Sequence, residues 1–349
     1  MLNKKLHERL NAFLLKMVDE QQIPGAVYAV VTKDATLAED AVGCSHREKK
    51  IPMTLETIFD LASLTKVCAT LPATFLLLQA GEIELDDPIT RFYPEACSSE
   101  ITLKHLLTHT SGYPAHIPFY KKGLSKEEIL QTIIKTHGEA GKQVEYSDLN
   151  FILLGFIIEK VSGLPLNQFT EKHIFQPLGM LHTGFNVNFE KKTIAPTEWL
   201  EAQQDYQWGK VHDENALHMG GVSGHAGLFS NLHDLKIYVQ MLLSEGLTNA
   251  GERFLSSAIL RESRQNFTKT LNLNRGLGWQ LRDEQFSPAG YFLSENSYGH
   301  TGFTGTSLWI DPDKEIGIVL LSNRVHISRS INMNRIRRIV HNIVAAHVQ

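Results

Sequence analysis

Phe59-Asp60-Leu61-Ala62-Ser63-Leu64-Thr65-Lys66 opens a mostly apolar run that continues to Gly81, and its last four residues carry a serine-x-x-lysine spacing. On an α-helix, residues three apart differ by about 60° in azimuth and about 4.5 Å in rise, so this spacing puts Ser63 and Lys66 on one face, one turn apart. With Ser63 in the first helical turn, its hydroxyl and backbone N–H sit at the positive end of the helix, where a developing oxyanion is stabilised. A lysine whose pKa is lowered by burial and neighbouring cations is neutral and can accept the serine proton. A capping serine followed by a solvated lysine has the same spacing, so the stretch acquires chemical meaning only through partners elsewhere in the chain.

Two segments offer such partners. Val144-Glu145-Tyr146-Ser147-Asp148 directly precedes the apolar helical run from Asn150. A phenol, with an ordinary pKa of about 10, becomes a usable base only beside positive charge, which Lys66 supplies if the segments meet. The plain structural alternative is a tyrosine at a helix start with Asp148 as N-cap. Further on, Tyr298-Gly299-His300-Thr301-Gly302-Phe303-Thr304-Gly305 leads into the strand containing Trp309. Glycine on an edge strand lets a substrate backbone approach, the Phe303 amide can donate to an oxyanion, and His300 adds a polar or cationic group. A glycine-rich hairpin with an incidental histidine fits the same residues.

An S-x-x-K, a Tyr/Ser element and a [K/H]-T-G element, in this order, form the catalytic set of the serine β-lactamases and penicillin-binding proteins. The chain resembles that superfamily, specifically the class C-like branch that includes esterases and D-alanyl-D-alanine peptidases. Ile23-Pro24-Gly25-Ala26, Leu106-Leu107-Thr108-His109-Thr110-Ser111-Gly112, Gly224-His225-Ala226-Gly227-Leu228-Phe229-Ser230 and Leu321-Ser322-Asn323 extend the resemblance over nearly the whole chain. It implies an α/β plus all-α, β-lactamase/transpeptidase-like fold: a central antiparallel sheet flanked by terminal helices, with an inserted helical domain and the active site in the groove between them. The expected division of this single catalytic unit is an α/β part over about 1–62 and 245–349 and a mainly helical part over about 63–244.

The resemblance makes Ser63 the acylated nucleophile and has Lys66 and Tyr146 shuttle protons. It assigns the oxyanion hole to the backbone amides of Ser63 and Phe303. Substrate binding falls to Asp148, His300, Thr301 and Gly302, with His300 and Thr301 holding the carboxylate or polar end. The implied activity is acyl-enzyme hydrolysis of a small-molecule ester, amide or β-lactam, with no metal and no cofactor. A catalytically weak module that captures penicillin or peptidoglycan fragments is the competing class; retention of Ser63, Lys66 and Tyr146 together opposes it. Two departures matter: the third motif starts with His300 rather than lysine, and Asp148 stands where many relatives carry asparagine. Asp148 brings negative charge to a site that receives carboxylates, which weakens β-lactam binding unless it pairs with Lys66.

The rest of the sequence agrees with an ordinary globular protein. Of 349 residues, 42% are hydrophobic and 21% charged, which excludes disordered and collagen-like classes. A net charge of −4 with no long basic run excludes a nucleic-acid footprint. Three scattered cysteines, Cys44, Cys68 and Cys97, build no disulfide framework or CxxC site, and no apolar run reaches the length of a membrane span. With no signal-peptide pattern recognised, the expected location is cytoplasmic. His105 and His109 have the i, i+4 spacing of a metal pair but lack the glutamate of HExxH, so packing is expected of them. His225 and Val211–Asn215 are candidate cleft-lining elements. Leu2, Leu6, Leu10, Phe13, Leu14 and Met17 mark an N-terminal amphipathic helix, Ala26–Thr32 with Leu37–Gly43 and Ser307–Asp311 with Ile316–Ser322 mark hairpins, and 331–348 marks a closing helix.

Overall fold

The computed structural model describes residues 3–284 and 287–348. The N-terminal helix runs over Lys4–Asp19, capped by Asn3, whose side chain accepts from the Leu6 amide; Leu6, Leu10, Leu14 and Met17 are buried along one face. Leu2, expected on that face, lies outside the described residues. The closing helix is Met333–His347.

Between them the described residues form twelve strands: β1 Gly25–Val31, β2 Thr36–His46, β3 Ile51–Pro52, β4 Phe59–Asp60, β5 Gly184–Phe185, β6 Trp199–Leu200, β7 Asp205–Tyr206, β8 Leu228–Ser230, β9 Gln280–Leu281, β10 Tyr298–Thr301, β11 Ser307–Asp311 and β12 Ile316–Ser322. Seven make the main sheet in the order β3-β2-β1-β12-β11-β10-β9, with every neighbouring pair antiparallel. The first and last strands of this sheet in sequence order meet in its middle, Ala26 opposite Ser322 and Val31 opposite Gly317. This is the β-lactamase/transpeptidase architecture anticipated from the motifs.

Alternation along the paired strands divides two apolar layers. Ala26, Tyr28, Val30, Ile318, Leu320 and Trp309 pack with the two terminal helices. Val27, Ala29, Val31, Val319, Leu321, Leu308 and Ile310 join the larger core that continues into the helical part. Because both faces are covered, β1 and β12 read as continuous apolar runs rather than alternating ones.

The segment read as mainly helical also contains β5 and β8, which with β4 form a three-stranded sheet in the order β4-β8-β5, and the β6–β7 ribbon. Strands of two or three residues are too short to show a period of two in sequence. The helix expected after Ser63 begins irregularly: Lys66–Thr70 is π-helical and Leu71–Gln79 α-helical, with the Leu71 amide bonded to the Lys66 carbonyl. Pro72 has no N–H to continue the regular ladder at this point.

His341, buried in the closing helix, donates from Nδ1 to the Pro288 carbonyl at 2.7 Å, and burial pushes it down to about 4. An unfolded chain therefore binds a proton below about pH 6.5 that the native protein refuses until about pH 4. Stability is lost as pH falls through that window, by about 3 kcal/mol for this one group. Urea unfolding at pH 7 and pH 4.5 should show the loss, and His341→Gln should reduce it.

Candidate active site

Ser63 is placed by a sharp elbow. Strand β4 ends at Asp60, whose carboxylate accepts from the amides of Ala62 (2.9 Å) and His212 (2.6 Å). Ala62 takes a left-handed φ of +48°, which turns the chain from strand to helix with Ser63 at the corner. Thr65 Oγ1 donates to the Ala62 carbonyl at 2.6 Å and accepts from the Leu228 amide at 3.1 Å, tying the elbow to β8. Ser63 thus lies in the turn just before the first helical residues, not inside the helix as its spacing suggests.

Lys66 has no exposed surface. Its Nζ lies 3.0 Å from Ser63 Oγ, 2.8 Å from Asp148 Oδ1 and 3.3 Å from the His225 carbonyl, one acceptor for each ammonium proton. Burial alone would push this ammonium down, but Asp148 and then Tyr146 outweigh it and hold Lys66 above its ordinary value. The expectation of a neutral Lys66 is therefore corrected, because its nearest charge is a carboxylate rather than another cation. Burial likewise pushes the Asp148 carboxyl up, yet Lys66 and His116 hold it far below the usual carboxylate range. Asp148 is the first residue of the Asp148–Ser162 helix, where the helix dipole also favours its charge. The N-cap is Ser147, which accepts from the Leu149 amide, and not Asp148.

The Tyr146 ring meets the condition its sequence context posed. Lys66 Nζ lies 4.9 Å from its centroid and Arg275 Cζ 5.5 Å. His109 packs against it at 4.6 Å between ring centroids. His109 Nδ1 accepts from the Ser147 amide at 3.2 Å, while its carbonyl accepts from the Glu145 amide at 2.9 Å, so this histidine braces the turn that carries Tyr146. His105 does other work: Nδ1 accepts from the Thr102 amide in a helix-capping box.

The third motif is stitched onto the elbow. Thr304 Oγ1 donates to the Asp60 carbonyl at 2.8 Å and Thr306 Oγ1 to the Leu61 carbonyl at 3.0 Å. Position 302 must be glycine, since a Cβ would collide with Thr306 Oγ1 and the Leu61 carbonyl. Among the described residues, the amides of Ser63 and Phe303 donate to no protein acceptor. His300, read as a polar or cationic group, is the polar one. Its Nδ1 lies 3.0 Å from the Thr301 carbonyl, an arrangement that needs the proton on Nδ1 and leaves Nε2 as a lone-pair acceptor. Burial, then Lys66 and Arg275, hold it well below the usual histidine range, so it is neutral.

The cations of the groove are arginines that no sequence motif announced. Arg275 comes from the loop before β9 and Arg337 from the closing helix; both are buried. Arg337 Nη2 donates to the carbonyls of Gly302 (2.7 Å) and Thr306 (2.8 Å), and Nη1 to Asn334 Oδ1 (2.8 Å). The Nε of each lacks a partner among the described residues. Together with Ser63, Tyr146, His300, Thr301, Gly302 and Phe303 they line a groove of about 520 Å³. His225 and Val211–Asn215, expected to line the cleft, lie behind it. His225 Nε2 is 2.9 Å from Asp213 Oδ1, and the His212 amide holds Asp60.

The sequence pattern of the Beta-lactamase family matches residues 10–341, and the chain belongs to that family. It is 36% identical over 316 residues, 80% of this chain and 72% of the relative, to a protein of Escherichia coli (strain K12) named "Putative D-alanyl-D-alanine carboxypeptidase". A protein of the same name from Salmonella agona (strain SL483) is 32% identical over 93% of this chain and 84% of its own length. The fold matches a class C β-lactamase from Rhodobacter sphaeroides with a TM-score of 0.76 at 19% identity, over 97% of this chain and 98% of that one. It matches EstCE1, a hydrolase with promiscuous acyltransferase activity, with the same score and coverage at 24% identity.

Asp148→Asn removes the counter-charge of a fully buried ammonium and should cost about 3 kcal/mol at neutral pH. Unfolding measured across pH should show the deficit shrinking toward alkaline pH, where the unpaired Lys66 can shed its proton.

Proposed function

We propose that the protein is a serine hydrolase that works through an acyl-enzyme on Ser63, with small esters or amides bearing a carboxylate as substrates and D-alanyl-D-alanine-type peptides foremost among them. The observation that carries this reading is the set Ser63, Lys66 and Asp148, with Ser63 Oγ 3.0 Å from an ion-paired lysine at the lip of a groove supplied with unused amides. The naming of the relatives at 32–36% identity supports the peptide class.

In this mechanism the substrate carbonyl oxygen sits between the Ser63 and Phe303 amides, which stabilise the tetrahedral oxyanion. Ser63 Oγ attacks and its proton passes to Tyr146, which acts as the phenolate beside Lys66 and Arg275, since Lys66 has all three protons engaged and remains charged. Lys66 holds Ser63 in place and offsets the negative charge that builds up during attack. Tyr146 returns the proton to the leaving group, and water repeats the sequence to release the acyl group from Ser63. The carboxylate of the substrate is drawn to Arg275 and Arg337, whose guanidinium groups suit its planar geometry. Neutral His300 accepts a hydrogen bond from a substrate N–H or O–H.

A fluorophosphonate or fluorescent penicillin should label Ser63, as located by mass spectrometry, and Ser63→Ala should abolish the adduct; labelling that persists in this variant overturns the assignment. Tyr146→Phe should leave the fold intact and slow acyl transfer about 10²-fold. Arg275→Leu should raise KM for a D-Ala-D-Ala peptide by about tenfold with little effect on a neutral p-nitrophenyl ester, a split expected from loss of one charged hydrogen-bond donor. In parallel assays, turnover of a chromogenic cephalosporin should be the weakest of the three.

A further inference from the structure

Away from the groove, three side chains from two segments converge on one point. His46 ends β2, Glu48 stands in the turn between β2 and β3, and His326 closes a 3₁₀ turn, Arg324–His326, that follows β12. Glu48 Oε2 lies 3.3 Å from His46 Nδ1 and 3.3 Å from His326 Nε2, and the three ligand atoms lie within 4.8 Å of one another. Ligands held tetrahedrally at about 2.0–2.1 Å from a zinc ion are about 3.4 Å apart, so the two close distances are those of a shared ion.

The surroundings favour that reading over an ordinary ion pair. His46 is 1% exposed, and neither of its ring nitrogens has a hydrogen-bond partner among the described residues, an expensive state for a buried polar group. The Arg47 amide donates to His326 Nε2 at 3.2 Å. An N–H donates only to an unprotonated ring nitrogen, so His326 carries its proton on Nδ1 and presents a basic Nε2 toward Glu48. Burial holds both histidines below their ordinary range, the neutral form a metal requires, while Glu48 is held low and ionised. Aromatic rings pack around the imidazoles: Tyr206 stacks on His326 at 4.2 Å, and Tyr206 and Trp208 meet His46 edge-on at 5.0 and 5.1 Å. The second cluster of this kind, Asp148, Asp213 and His225, differs because Asp148 already neutralises Lys66 and His225 is satisfied on both nitrogens.

We propose that His46, Glu48 and His326 bind one divalent transition-metal ion of the zinc class, with water completing the coordination at the half-exposed Glu48 side. Binding exchanges the Arg47 N–H bond for a metal–nitrogen bond and fastens the β2–β3 hairpin to the turn that starts at Arg324. Arg324 lines the catalytic groove, so the ion is a brace behind the groove rather than a participant in acyl transfer.

The test is zinc titration of the metal-stripped full-length chain, read by native mass spectrometry and by the melting temperature. One zinc per chain and a raised Tm are expected. Glu48→Gln, at an exposed turn position that folding tolerates, should weaken zinc binding at least tenfold while p-nitrophenyl ester hydrolysis is unchanged. His46→Ala with His326→Ala should abolish binding, and Cys44→Ser with Cys97→Ser should retain it. Absence of zinc uptake by the unaltered chain, uptake undiminished in Glu48→Gln, or uptake lost with the cysteines would overturn the proposal. Because the readout is metal stoichiometry, its failure leaves the acyl-transfer assignment standing.

Discussion

A lysine ammonium with no exposed surface has to be neutralised where it stands, and in this protein Asp148 does so at 2.8 Å. Much of the site follows from that pairing. It joins the elbow carrying Ser63 to the first turn of the Asp148–Ser162 helix, and so brings the helical part against the sheet side of the groove. It consumes the negative charge of Asp148. It also keeps Lys66 charged, a fixed source of positive potential beside Ser63.

The elbow is held by groups that do no chemistry. Asp60 supports the left-handed turn at Ala62, Thr304 and Thr306 suspend the Gly302–Phe303 turn from the same backbone, and Arg337 grips that turn from the closing helix. The Ser63 and Phe303 amides can remain unpaired only if the surrounding backbone is fixed well enough to keep them from finding protein acceptors. Here the fixing comes from β4, β8, the β10–β11 turn and the C-terminal helix at once, so the preorganisation is a property of the whole sheet rather than of one loop.

Much of this could be read before any coordinates. The amphipathic period of the first helix, the two terminal hairpins and the apolar helix from Asn150 all correspond to observed elements, since long periodic segments carry a strong signal. The three motifs, in their order, pointed to a family that the match over residues 10–341 shows. The two- and three-residue strands and the π-helical start at Lys66 were not legible, because neither carries a sequence period. The neutral state read for Lys66 did not hold, because its charge depends on Asp148, a neighbour contributed by a distant segment.

Sequence alone therefore determined which residue types are available and in what order, because serine, lysine, tyrosine and glycine turn are local patterns with local geometry. The tertiary structure decided their charge states and their company. Arg275 and Arg337 join the groove from a loop and a helix with no motif around them, His109 becomes a brace for Tyr146, and His326 comes from near the other end of the chain to meet His46 and Glu48 of the β2–β3 hairpin. Protonation depends on burial and on charges within a few ångströms, and neither is a property of a residue's place along the chain.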